Sequence, residues 1–443
     1  MMKKGLLILL CLPIIGFGQG WEKTFDKTGG DEGYSVQQTT DGGYIICGTI
    51  GVTVGGMGFS ADVYLIKTDS QGDTIWTKTF GNIDVSTFAE NQYGNSVQQT
   101  ADGGYIICGK YYGPETYYGA VYLIKTDGNG IEQWSQTIGG DFVGPSGDAE
   151  GFSVIQTIDG GYVITGRIFS NLPGSSGDIY LIKTDFQGDT IWTKSFGGVD
   201  DDCGYSVQQT TDGGYIVAGS VYSEITSLTK DIYLIKTDTQ GDTTWTKKIG
   251  DPGRTDEGYS VQQTADGGYI ICGSMMNSSF TSEMCLIKTN NLGNMMWTET
   301  FSGYGEGRSV QQTIDGGYII AGTLGTKLHL VKTNNMGSEQ WKKTFLGPTA
   351  SQSWGYSVRQ TTDGGYIISG KQYSPVGIVG WDIYLIKTDD NGNATSIFNI
   401  PINPNRKLQK TVDMLGKETK PKTNIPFIEI YDDGTVEKRI VIE

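Results

Sequence analysis

Seven copies of the tetrapeptide Asp-Gly-Gly-Tyr constrain this chain more than any other feature of its sequence. They begin at intervals of 61, 57, 53, 54, 49 and 48 residues, at Asp41, Asp102, Asp159, Asp212, Asp266, Asp315 and Asp363. Self-similarity at this period indicates a repeat architecture in which each unit buries its apolar face only against its neighbours.

Each copy contains four short segments that are typical of β-strands. In the first copy these are 33–39, 44–48, 62–68 and 74–80, which are rich in β-branched and aromatic residues and separated by glycine. The second and third segments are nearly continuous apolar runs, which predicts burial on both faces. Four-stranded sheets arranged around an axis would provide that burial. We therefore predict an all-β, seven-bladed β-propeller over residues 19–399.

Two connections within the copies are uniform. The Asp41-Gly42 pair and its equivalents are expected to supply the positive φ angles of a tight hairpin turn. Between the third and fourth strands a glycine recurs in every copy, Gly72 in the first, and we expect it to be a left-handed residue that closes a short loop. The connections at the opposite strand ends vary in length and sequence, which predicts one repetitive face and one variable face.

The repeat region begins with the last strand of a copy. Six fourth strands carry Trp followed four residues later by Phe or Ile, as in Trp76 and Phe80, whereas the seventh copy has no such Trp. Trp21 and Phe25 have the missing spacing, which places both side chains on one strand face. We therefore predict that residues 21–25 form the outer strand of the last blade and close the ring.

The N-terminus and the overall charge limit location and partners. Residues 1–18 are typical of a secretory signal peptide, because Lys3 and Lys4 precede an apolar run and a small-residue triplet. No membrane span is expected, so the protein is predicted to be secreted, extracellular or on the outer cell surface, and to be a monomer. A formal net charge of −16 disfavours nucleic acid as a partner, since an acidic surface repels phosphate.

Signs of catalysis or metal binding are weak, and no catalytic residue, metal site or cofactor is predicted. The slot of Cys47 holds Thr, Ala or Ser in other copies, which indicates a small buried residue. His329, the single histidine, fills a strand slot that is Tyr in most copies. Acid pairs such as Asp69 and Asp73 fit a calcium loop or a hairpin turn, and the turn is favoured because other copies carry Asn or Ser.

The variable face is predicted to carry the binding site. Its aromatic residues could stack on sugar rings or peptide segments, or could simply pack their own loops. Four glutamates that precede the first strands could converge at the channel mouth, where paired carboxylates could serve glycoside cleavage. The candidate binding residues are Tyr93, Tyr111, Tyr112, Tyr117, Tyr118, Phe142, Tyr222, Tyr304, Trp354, Tyr373, Trp381, Glu32, Glu150, Glu257 and Glu306.

The segment 65–81, "LIKTDSQGDTIWTKTFG", resembles the tryptophan-docking repeat of quinoprotein-type propellers. The full repeat is similar to repeats of secreted bacterial propeller proteins, over about residues 21–399. The resemblance implies the propeller fold. It does not imply a quinone cofactor, because quinoprotein dehydrogenases generally have eight blades and a basic pocket, whereas this sequence has seven repeats.

The C-terminal segment 407–443 resembles the type A sorting domain of the type IX secretion system, through "VDMLGKET" (412–419) and "YDDGTVEKRIVIE" (431–443). The resemblance implies the type IX secretion machinery as a partner. From the residues alone, the segment is predicted to form a β-hairpin around Asp433 and Gly434, preceded by a linker at 400–406. The alternative is a tail that docks on the propeller.

Together these observations predict a secreted or cell-surface propeller that acts as a binding module for a glycan or a protein. A polysaccharide-degrading hydrolase or lyase and a purely structural surface protein are the alternatives. The sequence does not distinguish them, because fold and function are separable properties.

Overall fold

The computed structural model describes residues 20–25, 30–54, 58–81, 91–113, 116–140, 146–170, 176–198, 200–222, 229–347, 350–375 and 380–394, and, near the C-terminus, 407–413, 417–421, 427–431 and 436–439. The predicted signal peptide at 1–18 lies outside these residues. The chain divides into two compact units, 1–395 and 396–443. The described residues contain strands and no helix. Accordingly, none of them forms a helix with the length and apolarity needed to cross a membrane.

The first unit consists of antiparallel sheets formed from consecutive strands. Five sheets have four strands each, and four of these are formed by consecutive strands. The first has β2 (Glu32–Gln38), β3 (Tyr44–Val54), β4 (Gly58–Thr68) and β5 (Thr74–Phe80); the second has β6 (Asn91–Gln99), β7 (Tyr105–Gly113), β8 (Thr116–Thr126) and β9 (Glu132–Ile138); the third has β10 (Ser146–Gln156), β11 (Tyr162–Ser170), β12 (Gly177–Thr184) and β13 (Thr190–Phe196); and the fourth has β14 (Cys203–Gln209), β15 (Tyr215–Tyr222), β16 (Lys230–Thr237) and β17 (Thr243–Ile249). The fold is therefore all-β and propeller-like.

The fifth and sixth repeats share one seven-stranded sheet: β18 (Glu257–Gln263), β19 (Tyr269–Met276), β20 (Ser282–Thr289), β21 (Met295–Gln312), β22 (Tyr318–Leu324), β23 (Lys327–Thr333) and β24 (Glu339–Phe345). The sequence predicted a loop within residues 302–309, but β21 runs through it. Its first half pairs with β20 and its second half with β22. The connection between these two repeats is short, and Gly303 adopts φ +119° within it. The chain therefore remains extended from one repeat into the next.

The N-terminal strand completes the last sheet. β1 (Trp21–Phe25) pairs antiparallel with β27 (Gly380–Thr388), in the order β1-β27-β26-β25 with β26 (Tyr366–Ser374) and β25 (Gln352–Gln360). Trp21 lies opposite Lys387, and Phe25 lies opposite Ile383. The predicted pairing of residues 21–25 with the last repeat is confirmed.

The turn after each first strand differs from the prediction in detail. Thr39 O accepts a hydrogen bond from Gly42 N at 2.9 Å, and Thr39 N donates to Gly43 O at 2.9 Å. Gly42 has φ +84°, whereas Asp41 does not have a positive φ. The connection is therefore a three-residue loop, a type I turn followed by a left-handed glycine, and not a two-residue turn with two positive φ angles. Asp41 instead caps the turn by accepting a hydrogen bond from Gly43 N at 3.0 Å.

A tryptophan from the outer strand of each repeat lies over the loop glycine of the next repeat, an arrangement that we call the tryptophan clasp. A Cβ atom at Gly72 would lie 2.6 Å from Cη2 of Trp21, whose indole packs edge-on against Tyr44 with ring centroids 5.7 Å apart. The loop glycine is thus needed for its positive φ, as predicted, and also for the space under an indole. The equivalent Trp, Gly and Tyr sets are 76, 130 and 105; 134, 188 and 162; 192, 241 and 215; 245, 293 and 269; 297, 337 and 318; and 341, 392 and 366.

The first strands of consecutive sheets are joined by a serine ladder. Val97 N donates to Ser35 Oγ at 3.2 Å, and Val36 N donates to Ser357 Oγ of the last sheet at 3.3 Å. The ladder satisfies backbone donors at the inner edges of the sheets, which have no strand partner there. The other five Val-to-Ser bonds are 154 to 96, 207 to 153, 261 to 206, 310 to 260 and 358 to 309.

A second set of bonds, the outer glutamine ladder, runs parallel to the serine ladder. Gln99 Oε1 accepts from Thr40 N at 2.9 Å, and Gln38 Oε1 accepts from Thr362 N at 2.9 Å. The remaining five acceptors, in the same geometry, are Gln156, Gln209, Gln263, Gln312 and Gln360. Both ladders therefore link every sheet to the next and the last sheet to the first.

A buried lysine supports each Asp-Gly-Gly-Tyr turn. In the second repeat, Lys125 is 3 % exposed and its Nζ lies 2.9 Å from Asp102 Oδ2 and 2.8 Å from Thr126 O. Partial burial acts to raise the pKa of Asp102, but hydrogen bonds from Thr100 and Lys125 outweigh it and lower the pKa to about 2. The same pair occurs in the other six repeats as Lys67–Asp41, Lys183–Asp159, Lys236–Asp212, Lys288–Asp266, Lys332–Asp315 and Lys387–Asp363.

The second unit is a small three-stranded antiparallel sheet in the order β28-β29-β30, formed by β28 (Leu408–Asp413), β29 (Phe427–Tyr431) and β30 (Val436–Arg439). The predicted hairpin is confirmed, because Ile430 pairs with Val436 on either side of residues 432–435. The sequence did not predict β28, whose pattern is largely polar and exposed.

We expect Trp21→Ala to lower the free energy of unfolding by about 3–5 kcal/mol, because it removes a buried indole between the first and last sheets and leaves a cavity. Chemical denaturation of both proteins measures the difference. The matched control is Lys23→Ala on the same strand, which breaks an exposed ion pair with Asp73 worth less than about 1 kcal/mol. Equal denaturation midpoints for the two variants would contradict the role given to β1.

The lysine–aspartate pairs predict how stability depends on pH. A carboxyl with a lowered folded-state pKa contributes stability above its unfolded value of about 3.9, and this contribution is lost as the pH falls through the folded value. We expect Asp102→Asn to lower the free energy of unfolding by about 1 kcal/mol near pH 6 and by almost nothing near pH 2. The value near pH 6 is small because the Asp102 carboxylate is exposed and water screens its interaction with Lys125. Urea denaturation across this pH range provides the measurement, and a pH-independent difference would exclude the mechanism.

Candidate functional site

The inner strands enclose a central channel with a volume of about 220 Å³. Five first strands each contribute a Ser, a Val and, in four of them, a Gln, whereas the sixth contributes Val310 and Gln311 and the seventh contributes Arg359. The channel is thus lined mainly by short polar side chains, which suits water or a small polar ligand more than an apolar one. The lining residues are Ser35, Val36, Gln37, Ser96, Val97, Gln98, Ser153, Val154, Ile155, Ser206, Val207, Gln208, Ser260, Val261, Gln262, Val310, Gln311 and Arg359.

Next to the channel-lining residues lies a tyrosine layer, formed by the residue that precedes the ladder serine in each first strand. Its members are Tyr34, Asn95, Phe152, Tyr205, Tyr259, Arg308 and Tyr356. The ring centroids of Tyr34 and Tyr356 lie 5.0 Å apart, and those of Tyr205 and Tyr259 lie 5.1 Å apart. Burial raises the pKa of these four tyrosines well above the usual value, so their hydroxyls stay protonated as hydrogen-bond donors.

Arg308 replaces a ring in this layer. Its guanidinium carbon lies 3.9 Å from the centroid of Tyr259, and its Nη2 lies 2.6 Å from Glu306 Oε1. Burial acts to lower the pKa of Arg308, but Tyr259 and Glu306 outweigh it and raise the pKa. The layer therefore holds a cation by stacking and by an ion pair together.

The four predicted glutamates border the tyrosine layer, and a basic group neutralises each of them. Glu32 lies 2.8 Å from Lys371 Nζ, and its carboxylate also accepts a hydrogen bond from the Tyr34 hydroxyl. The other pairs are Glu150 with Arg167 at 3.0 Å, Glu257 with Lys230 at 3.1 Å and Glu306 with Arg308 at 2.6 Å. None of the four is thus an isolated carboxylate poised for proton transfer.

Three of the predicted aromatic residues form one cluster around a lysine. The Trp354 and Trp381 ring centroids lie 5.3 Å apart, and those of Tyr373 and Trp381 lie 5.4 Å apart. Lys371 Nζ lies 4.4 Å from the Trp354 ring and 4.5 Å from the Trp381 ring. This protein's own lysine therefore occupies the space between the indoles, so a cationic ligand has no place there.

A cleft of about 160 Å³ lies beside this cluster. Tyr304 and Trp354 flank it, and Glu306 and Thr323 add polar groups. Tyr304 is 68 % exposed, so most of its ring is accessible to a ligand. The cleft combines an exposed aromatic face with hydrogen-bonding groups, the usual composition of a small polar ligand site.

Of the remaining predicted aromatics, those that the structure describes lie within strands and not in loops. Tyr93, Tyr111 and Tyr112 belong to β6 and β7, where Tyr111 packs on Tyr122 at 5.3 Å and the Tyr112 hydroxyl donates to Asp148 Oδ1 at 2.9 Å. These contacts match the alternative in which such residues pack their own segment. Tyr118 in β8 is 37 % exposed, and the ring centroid of Tyr222 lies 5.3 Å from Lys230 Nζ. The side chain of Tyr117 and the whole of Phe142 lie outside the described residues.

Sequence reasoning missed several residues of this region. The tyrosine layer, Arg308, Lys371 and Arg359 were not among the candidates. Superposing the seven first strands would have exposed Arg308 and Arg359, because each is the one charged residue in a column that is otherwise aromatic, amide or, at Ile155, aliphatic. Lys371 has no such signature, since its partners come from β2, β25 and β27.

The groups considered for other chemistry have structural explanations. The predicted small buried cysteines are confirmed, because Cys47, Cys108, Cys203, Cys272 and Cys285 are all buried with free thiols. His329 lies in β23 opposite Thr344, and burial together with Lys342 and Lys327 lowers its pKa to about 4. Asp69 Oδ1 accepts hydrogen bonds from Gln71 N and Asp73 N, as a capped turn requires.

No protein-family model matches the chain, and neither does any curated protein. Among solved structures, an ulvan lyase described as a new polysaccharide lyase family, PL25, is 12 % identical with a TM-score of 0.50, covering 84 % of this chain and 97 % of that one. A puromycin hydrolase is 11 % identical with a TM-score of 0.50, covering 90 % of this chain. This chain spans 58 % of the hydrolase. At such identities the similarity concerns the propeller-like fold.

Proposed function

We propose that residues 19–399 form a closed seven-bladed β-propeller. The serine ladder, the outer glutamine ladder and the tryptophan clasp each occur seven times and each join the last repeat to the first, which supports a closed ring. In this arrangement the seven-stranded sheet comprises two blades that share β21. Strand β1 is then the outer strand of the seventh blade.

We further propose that the propeller is a binding module for a neutral glycan, with the Tyr304–Trp354 cleft as its site. The exposed Tyr304 ring beside the cleft is the observation that carries this proposal. An aromatic face stacks on the apolar face of a sugar ring, while Glu306 and Thr323 offer hydrogen-bond partners for hydroxyl groups. The net charge of −16 opposes binding of an anionic polysaccharide.

Two alternatives are weaker on the same geometry. Glycoside cleavage needs a free acid and a free base flanking the scissile bond, whereas the four candidate glutamates each hold a cation. The likeness to the ulvan lyase concerns the fold alone and therefore adds no support for a lyase. A purely structural role would leave the exposure of Tyr304 without a purpose.

Glycan-array binding by the secreted full-length protein tests this proposal. We expect binding of a neutral oligosaccharide that falls at least tenfold in Tyr304→Ala and Trp354→Ala. Tyr118→Ala is the matched control, since it removes an exposed aromatic residue outside the cleft. Loss of binding in the control alone, or no glycan binding at all, would refute the assignment, and release of shortened products would favour an enzyme.

We also propose that the second unit acts as a sorting signal for the type IX secretion machinery, as the resemblance of residues 407–443 implies. The outer edge of β30 in this small sheet is a strand edge that a receptor could extend. Removing residues 407–443 is expected to leave the propeller folded but retained in the periplasm. Fractionation of cells that express both forms measures this, and unchanged surface display would exclude the sorting role.

A further inference from the structure

The wall of the central channel contains a third ladder with two gaps. In five first strands the Gln after the Val accepts a hydrogen bond from the second Gln of the next sheet, as Gln37 Oε1 does from Gln99 N at 2.7 Å. The other four of these bonds join 98 to 156, 208 to 263, 262 to 312 and 311 to 360. Ile155 and Arg359 occupy the two remaining positions and cannot accept such a bond.

Arg359 places a charge in an otherwise neutral channel. It is the one charged side chain among the described residues that line the channel. Its Nη1 donates to Val358 O at 2.7 Å and to Ser309 Oγ at 3.3 Å, and no carboxylate of the described residues pairs with it. The Arg359 side chain is exposed, so water in the channel reaches it.

A second donor faces the same gap. Gln38 N corresponds to the five backbone donors of the ladder, but the preceding sheet presents Arg359 to it, and a guanidinium has no acceptor atom. The remaining donors of Arg359 and the N–H of Gln38 can therefore both bind an acceptor that enters the channel. Their combined preference is for a group that carries negative charge on oxygen.

We propose that the central channel binds a small oxyanion, either inorganic phosphate or the carboxylate of an organic acid, through Arg359 and the N–H of Gln38. The channel volume of about 220 Å³ accommodates such an ion together with several waters, each of which occupies about 30 Å³. The serine hydroxyls of the wall supply further hydrogen bonds. This site is separate from the Tyr304–Trp354 cleft and does not depend on the glycan proposal.

The repeat itself provides the variants that test the site. Arg359→Gln installs the residue that five sheets carry, so it is compatible with folding and completes one gap of the ladder. Ile155→Gln completes the other gap while leaving the cation in place, which makes it the matched control. Calorimetric titration of the full-length protein with phosphate, and separately with acetate, distinguishes an inorganic ion from an organic carboxylate.

We expect saturable binding of at least one of the two anions by the wild type and by Ile155→Gln, and at least tenfold weaker binding by Arg359→Gln. In an anion-poor buffer Arg359→Gln is expected to melt at a higher temperature than the wild type, because the glutamine can accept the missing hydrogen bond of the ladder from Gln38 N. Added phosphate or acetate should reduce the difference in melting temperature between Arg359→Gln and the wild type. Absence of binding to the wild type, or equal binding by Arg359→Gln, would overturn the proposal.

Discussion

The contact between an indole and a glycine of the next sheet is the constraint on which the rest of the fold depends. It joins neighbouring repeats at their outer edge, because the tryptophan comes from a fourth strand and the glycine from the loop that leads into the next fourth strand. The serine ladder and the outer glutamine ladder join the same repeats at their other edge, through the first strands. Each sheet is thus fixed at two distant points, and its apolar faces are brought together between them.

Much of this arrangement follows from the sequence, since it is repeated. A pattern that occurs seven times reveals its strands and its turns. It also shows that the seventh repeat lacks a tryptophan, which Trp21 supplies. Details that depend on three dimensions did not follow. The sequence explained Gly72 by its φ angle but not by the indole above it, and it assigned two positive φ angles to a turn that needs only one at Gly42. Nothing in residues 302–309 marks them as part of one long strand, because glycine and tyrosine occur in loops and strands alike.

The candidate site was only partly predictable for a related reason. Residue type identified Tyr304 and Trp354, but did not separate them from Tyr111 and Tyr112, whose rings and hydroxyls have partners within their own sheet. Burial decides between these cases, and burial arises from the path of neighbouring segments. The glutamates show the same limit. Their shared position before the first strand was visible in the sequence, whereas their cations lie far along the chain, as Lys371 does for Glu32.

The pairing of β1 with β27 also determines the order in which the molecule can be completed. The first strand of the folded unit to emerge during synthesis waits for the last one, so its sheet forms only after some 360 residues have followed it. Until then β1 has no strand partner, and an unpaired strand edge is the kind of surface that recruits strands from other chains. Long-range pairing of this kind is slow. A chain truncated within its last repeat therefore keeps a competent β1 with no partner, and such fragments are the species most prone to associate with one another.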